Sequence, residues 1–283
     1  MRAMLGLLLL LVTTPASAQR PTAFYILSPS APPEAELARL PEGGRAPYAR
    51  IVRLRSALSA AGAHLPGGDT RRARLIRLGE GLDAAWDELH GVLERDRARL
   101  DARGWLLLGE ARTHRASSEY LAVLEAYERD PDRAPEPGYP EMSAAIAALR
   151  MAAALAADRE LGGWARYLEA TCLLEMGRAA EAGMALRIVA ASGPRELRGE
   201  ARLRLGTLAS EESEHGIAAG WLERALADVE RPDVVAIVVY ELAWSYFRAG
   251  RLEEMRAAIA RLPPDANPAL REDLEQLVHA QQP

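Results

Sequence analysis

The chain has 283 residues, of which 49% are hydrophobic, 27% are charged and only 5% are aromatic. This is enough apolar material for one or two domains with a sizeable core, and the abundant alanine and leucine are strong helix formers. The formal net charge is -5, and there is no lysine, so the basic excess typical of nucleic-acid-binding proteins is missing. The composition therefore predicts an all-α protein that has no nucleic-acid partner.

Residues 1–18 have the pattern of a cleavable signal peptide. Arg2 precedes an apolar run from Leu5 to Val12, and Ala16-Ser17-Ala18 matches an A-x-A cleavage site. The run is much shorter than the roughly 20 residues that a membrane span needs. No cysteine follows that would anchor a lipoprotein. We expect a periplasmic or secreted protein with no transmembrane segment after cleavage; the alternative is a short core helix that is retained.

The next part of the chain is predicted to be an extended leader, over residues 19–44, followed by a helical region over residues 45–130. Prolines near the middle of the leader exclude a helix there. In the helical region, apolar residues recur at a spacing of three and four, with a stripe from Leu75 to Val92 expected to be buried. The predicted helices run from Pro47 to Ala63, from Asp69 to about Leu100, from Trp105, and from Tyr120 to Tyr127.

Residues 45–77 are locally basic, and Asp69 is the only acidic residue among them. An anionic partner such as a lipid headgroup, a cell-wall polymer or an acidic protein fits this pattern. The alternative is a solvated helix face. The arginines are Arg45, Arg50, Arg53, Arg55, Arg71, Arg72, Arg74 and Arg77.

Residues 131–140 hold four prolines and are predicted to be a linker. An alanine-rich helix from Glu141 to Asp158 follows. Three helix-turn-helix units then recur 36 or 37 residues apart. Each has a small residue on its first helix and a turn residue that permits a tight reversal, and the first two also have an alanine near the start of the second helix, where the third has methionine. These residues are Ala170, Gly177 and Ala182, then Gly206, Ser213 and Ala218, then Ala243, Gly250 and Met255.

This spacing resembles the tetratricopeptide repeat family, from about Gly163 to Pro268. Ser213 and Met255 depart from the glycine and the alanine usual at their positions. The resemblance implies a right-handed α-solenoid of antiparallel helix pairs over residues 141–283, ending in a capping helix over residues 267–279. The N-terminal part is expected to be helical but less regular; the alternative is a non-repeating helical bundle.

One further segment matches the first helix of such a unit. Trp105, Leu108 and Gly109 have the expected spacing, but no second helix aligns with them. We therefore predict three units with a reliable register.

The resemblance also implies a concave groove, lined by the first helix of each unit, that binds an extended peptide or a partner helix. Tyr240, Trp244 and Phe247 lie at i, i+4 and i+7 on one helix face with Arg248 beside them, a composition typical of interaction hot spots. The alternative is that the capping helix covers these aromatic residues. The predicted groove residues are Trp164, Tyr167, Thr171, Glu175, Glu200, Leu203, Thr207, Glu211, Tyr240, Trp244, Phe247 and Arg248.

Signals for catalysis are weak. The five histidines have no metal-ligand spacing, and Cys172 is predicted to be a buried thiol. Glu211 to His215 contains a Glu-Ser pair similar to that of lytic transglycosylases, although the downstream glycine- and glutamine-containing motif of that family is missing. We expect no cofactor and a non-catalytic scaffold that binds a protein or peptide. A cell-wall enzyme of the lytic transglycosylase type and a structural homo-oligomer are the alternatives.

Overall fold

The computed structural model describes residues 38–64, 69–264 and 266–279, without the side chains of residues 59–76 and 279. The predicted signal peptide and all of the leader before residue 38 lie outside the described residues. The described chain contains eleven α-helices and no strand, so the predicted all-α class is confirmed. No helix in these ranges is long and apolar enough to cross a membrane.

The helices follow one another along the chain with short connections, apart from the proline-rich segment between the third and the fourth. They are α1 (Glu42–His64), α2 (Asp69–Arg95), α3 (Ala102–Arg129), α4 (Ser143–Leu155), α5 (Arg159–Glu175), α6 (Ala179–Ser192), α7 (Arg195–Glu211), α8 (His215–Leu226), α9 (Pro232–Arg248), α10 (Leu252–Ile259) and α11 (Pro268–His279). A short 3-10 turn, Arg97–Arg99, joins α2 to α3.

The described chain forms two compact units. Unit 1 contains residues 38–156 and 171–177, and unit 2 contains residues 157–170 and the residues from 178 onward. The division falls within α5. The proline-rich residues 131–140, predicted as a linker, carry no helix and belong to unit 1.

Unit 1 is built by sequential packing of α1 on α2, α2 on α3 and α3 on α4. Its core centres on Trp86, which is 1% exposed and stacks on His114 with ring centroids 5.7 Å apart. The predicted stripe on α2 is confirmed from Leu82 to Val92, where each apolar stripe residue is buried. Leu78 is only partly buried, and the side chain of Leu75 lies outside the described set.

Several predicted helix bounds in unit 1 are wrong. Helix α2 ends at Arg95 and not near Leu100, and α4 spans Ser143–Leu155, within the predicted Glu141 to Asp158. The helix predicted from Pro47 begins earlier, at Glu42, within the predicted leader, and tolerates Pro47 in its interior. The helices predicted to open at Trp105 and at Tyr120 are one continuous helix, α3. No proline lies between these two start points, and the single glycine there, Gly109, does not break the helix.

The fourth repeat-like segment has a physical counterpart in unit 1. A Cβ atom on Gly109 would lie 2.6 Å from Leu149 Cδ2, so α3 and α4 approach each other as closely as a glycine allows. The second helix failed to align in sequence because α3 continues to Arg129 and the proline-rich segment follows before α4 begins.

Unit 2 packs α6 on α7, α7 on α8, α8 on α9 and α9 on α10, with α11 also contacting α9. The small residues that define the repeat lie in its core: Ala170, Ala182, Ala218 and Ala243 are each 0% exposed. Met255, which departs from the family pattern, is equally buried. The longer side chain at this position therefore fills core space at the start of α10.

The three predicted turn residues share one backbone conformation. Gly177, Ser213 and Gly250 have φ values of 70°, 63° and 72°, the left-handed region that favours glycine. Each donates its N–H to the carbonyl three residues earlier, at 2.9, 3.1 and 3.0 Å. These bonds satisfy carbonyls that the helix end leaves without a partner. The three units that recur in the sequence therefore also share the same backbone geometry at their turns.

Candidate functional site

The aromatic surface, which we define as Tyr240, Trp244, Phe247 and Arg248, lies on the C-terminal half of α9. The rings of Tyr240 and Trp244 are 6.4 Å apart, and those of Trp244 and Phe247 are 5.6 Å apart at an interplanar angle of 89°. The Arg248 guanidinium lies 5.8 Å from the Trp244 ring centroid, within cation–π range. The three rings are partly exposed and Arg248 is exposed, so the surface is open to solvent on one side.

Helix α11 contacts one end of this surface. The Tyr240 hydroxyl donates to Asp273 Oδ2 of α11 at 3.5 Å. Burial raises the pKa of Tyr240, and the nearby Asp273 carboxylate adds to the shift. The capping helix therefore meets the surface at Tyr240, while Phe247 and Arg248 lie two turns further along α9.

Other predicted groove residues are placed in the interior of unit 2. Tyr167 is 1% exposed, its ring meets the ring of Trp164 edge-on at 6.4 Å, and burial raises its pKa to about 12. Glu200 is 2% exposed and Leu203 is also buried. Tyr167 and Leu203 therefore offer no surface to a partner, and Glu200 is accessible only from a small cavity.

The remaining predicted groove residues are at least partly accessible, with the exception of Thr171, which is buried in unit 1. Thr207 uses its hydroxyl within its own helix, donating to the Leu203 carbonyl at 3.2 Å. Trp164 and Glu175 are partly exposed, and Glu211 is exposed at the end of α7. The aromatic surface is the only group of predicted residues for which the described chain shows mutual side-chain contacts beyond a single ring pair.

The basic stretch over residues 45–77 is partly neutralised in unit 1. Arg50 pairs with Glu88, and Arg55 lies 3.4 Å from Glu110 and 4.9 Å from the centroid of the Trp86 ring. Arg53 and Arg77 are exposed. The side chains of Arg71, Arg72 and Arg74 lie outside the described set. Binding to an anionic partner here stays a prediction.

The residues considered for catalysis lie in two different settings. Glu211, Glu212, Ser213 and Glu214 are exposed in the turn between α7 and α8. Cys172 is buried, which confirms the prediction, and its sulfur lies 3.2 Å from Thr113 Oγ1 in unit 1. Among the described residues there is no cluster of three histidine, cysteine or acidic side chains able to hold a metal ion.

Sequence reasoning missed a cavity in unit 2. A cavity of about 340 Å³ lies between the first two turns of α7 and the connection from α8 to α9. Glu200 is one of the residues that line it. The sequence does show two glutamates, Glu196 and Glu200, one helical turn apart on α7. The opposite wall of the cavity is the α8–α9 connection, about 30 residues further along the chain, so the sequence alone could not place it beside them.

Comparison of the chain with protein-family models, with curated proteins and with solved structures gave no match.

Proposed function

We propose that the protein is a non-catalytic scaffold that binds a protein or peptide partner through tetratricopeptide-like repeats, arranged as a right-handed α-solenoid of antiparallel helix pairs. Three turns with equivalent left-handed residues, and the buried small residues beside them, support the repeat. The signal-peptide pattern of residues 1–18 supports the periplasm or cell envelope as its place of action.

The aromatic surface is the observation on which the proposal rests. In a chain with 5% aromatic residues, three rings and an arginine contact one another on a partly solvent-exposed helix face. Aromatic residues and arginine dominate binding energy at protein interfaces, since they bury much area and lose little conformational entropy. We infer that Phe247 and Arg248 contact the partner directly.

A site-specific cross-linking experiment tests this assignment. A photoreactive phenylalanine analogue placed at Phe247, in the native cell envelope, should yield a discrete partner adduct. The control is the same analogue at Ile188 of α6, which is 51% exposed and outside the aromatic surface. Equal adducts at both positions, or none at Phe247, would contradict the proposal.

A substitution series then measures the contribution of the surface. Phe247→Ala combined with Arg248→Ala should reduce capture of the cross-linked partner at least about tenfold, as truncation of hot-spot residues costs about 2 kcal/mol or more. The matched control is Met184→Ala combined with Ile188→Ala, two residues that are 57% and 51% exposed on α6. Retained capture by the first pair would assign the partner to another surface.

A further inference from the structure

We propose that the cavity between α7 and the α8–α9 connection is a binding site for an organic cation with N–H donors, an alkylammonium or alkylguanidinium group. Four acidic and two basic side chains line it, together with two valines, so acidic groups are in excess. Its volume of about 340 Å³ falls within the range of small-ligand sites. The lining residues are Arg195, Glu196, Glu200, Asp228, Val229, Glu230, Arg231 and Val234.

Both basic side chains of the lining are already engaged with acidic partners. Arg195 pairs with Glu230. Arg231 pairs with Asp233 through two contacts. These pairs offset part of the positive charge that the two arginines bring to the cavity.

The third acidic residue of the lining is neutralised from outside it. Asp228 pairs with Arg202 at 2.5 Å and with Arg198 at 3.3 Å. Of the four lining carboxylates, Glu196 and Glu200 are the two for which the described residues show no salt bridge, although Arg204 and Arg231 attract the charge of Glu200. They lie at i and i+4 on α7, where two like charges repel each other.

Glu200 is the group that points to a ligand. The residue is 2% exposed, and its Oε2 atom has no hydrogen-bond partner in the described part of the chain. Leaving a buried carboxylate oxygen without a donor costs free energy, which a bound N–H group would recover. Burial raises the pKa of Glu200, with Arg204 and Arg231 opposing the shift and Glu196 and Asp233 adding to it.

The walls of the cavity define the class of cation. Val229 and Val234 provide an apolar surface suited to a short methylene chain, while Glu196 and Glu200 lie together to receive the charged end. An anion would be repelled by this pair of carboxylates. An alkylammonium or alkylguanidinium group of this kind is found both in free amines and in the lysine or arginine side chains of a peptide.

Calorimetric titration of the purified full-length protein tests the site. The probes are agmatine and cadaverine as free cations, acetyl-glycyl-arginyl-glycine amide as the peptide form, and glutarate as the anionic control. We expect binding of at least one cationic probe and none of glutarate. Preference for the free or the peptide form identifies the source of the ligand.

Substitutions in the protein complete the test. Glu200→Gln, which keeps the shape of the side chain and removes its charge, should weaken binding of the cation at least tenfold. Glu196→Gln, at an exposed position that does not contribute to the core, should weaken it at least threefold. Glu212→Gln in the exposed α7–α8 turn is the control and should leave the affinity unchanged.

Two results would overturn the proposal. The first is the absence of binding for all three cationic probes at millimolar concentration. The second is equal affinity in the wild type and in Glu196→Gln, a comparison that holds even if Glu200→Gln fails to fold. Neither result depends on the aromatic surface, because Phe247→Ala should bind the cation normally.

Discussion

Ser213 differs in residue type from the glycines at the equivalent turns, but it adopts the same backbone conformation. Its φ of 63° is the one positive value among the described non-glycine residues. Glycines at the equivalent turns adopt this conformation freely, whereas a side chain there costs about 1–2 kcal/mol. The turn persists at Ser213 because two hydrogen bonds close it: Ser213 N–H to the Ser210 carbonyl, and Glu214 N–H to the Ala209 carbonyl at 2.8 Å.

This geometry makes opposite predictions for two matched substitutions. Ser213→Gly should stabilise the protein by roughly 0.5–1 kcal/mol, since it removes the strain but adds freedom to the unfolded chain. Gly250→Ala should destabilise it by about 1 kcal/mol, through strain alone, because no atom lies within 4 Å of the added Cβ. Urea denaturation measures both. A loss of stability in Ser213→Gly would show that the side chain itself stabilises the turn.

The turn at Ser213 was predictable from the sequence because two neighbouring units set its register. The burial of Tyr167 was not predictable from the sequence. Its equivalents in the other units are Leu203, which is also buried, and Tyr240, which is partly exposed. The burial of each of these three side chains depends on how the next helix packs over it. The position of a residue within its repeat unit does not specify that packing.

At the scale of the elements, the close crossing of two helices depends on glycine at the point of contact. A Cβ on Gly206 of α7 would lie 2.6 Å from Leu222 Cγ and 3.3 Å from the Ala218 carbonyl oxygen of α8. Leu222 and Ala218 are both 0% exposed, so neither side of the contact has free space. The crossing of α7 and α8 therefore requires glycine at this position.

Gly206→Ala should destabilise the protein by about 1–3 kcal/mol, as added atoms do in a close-packed core. Gly216→Ala is the matched control in α8, where no atom lies within 4 Å of the new Cβ. It should stabilise the protein by about 0.4–1 kcal/mol, because alanine restricts the unfolded chain. Thermal and urea unfolding measure both variants. Equal stability of Gly206→Ala and the wild type would mean that α8 shifts without cost.

The element scale also shows where sequence patterns lose precision. Helical periodicity identified the existence of α1, α2, α3 and α4, and it placed the start of α2 correctly at Asp69. It misplaced the start of α1, at Pro47 instead of Glu42, and the end of α2, near Leu100 instead of at Arg95. It divided α3 into two helices although no residue between Trp105 and Tyr120 stops a helix. The pattern of apolar residues reports which face is buried, whereas helix ends depend on local capping and on packing.

At the scale of the whole molecule, the folded state is expected to weaken at high pH. Burial raises the pKa of Tyr167 to about 12, above its ordinary value of 10, because the neutral phenol is favoured in the interior of unit 2. The contribution of this neutral phenol to stability is complete below pH 10 and is lost as the pH rises through 10 toward 12.

The expected loss is about 1.3 kcal/mol between pH 9 and pH 11, from a separation of about two pKa units. Tyr167→Phe should remove this part of the pH dependence, because phenylalanine has no group that ionises. Tyr139→Phe, at a position that is 74% exposed, controls for the loss of a hydroxyl. Denaturation curves at the two pH values measure the slopes. Parallel slopes in the wild type and Tyr167→Phe would exclude this cause.

The sequence by itself determined the helical class, the recurrence every 36 or 37 residues and the identity of the turn and small residues. Helix propensity and periodicity are local properties, so they can be read along the chain. Only the tertiary structure decided which groove residues remain accessible. Phe247 and Arg248 keep solvent contact on α9, whereas Tyr167 and Glu200 are buried. A periodic pattern specifies a helix face, but the neighbouring helices that pack over it decide what that face can bind.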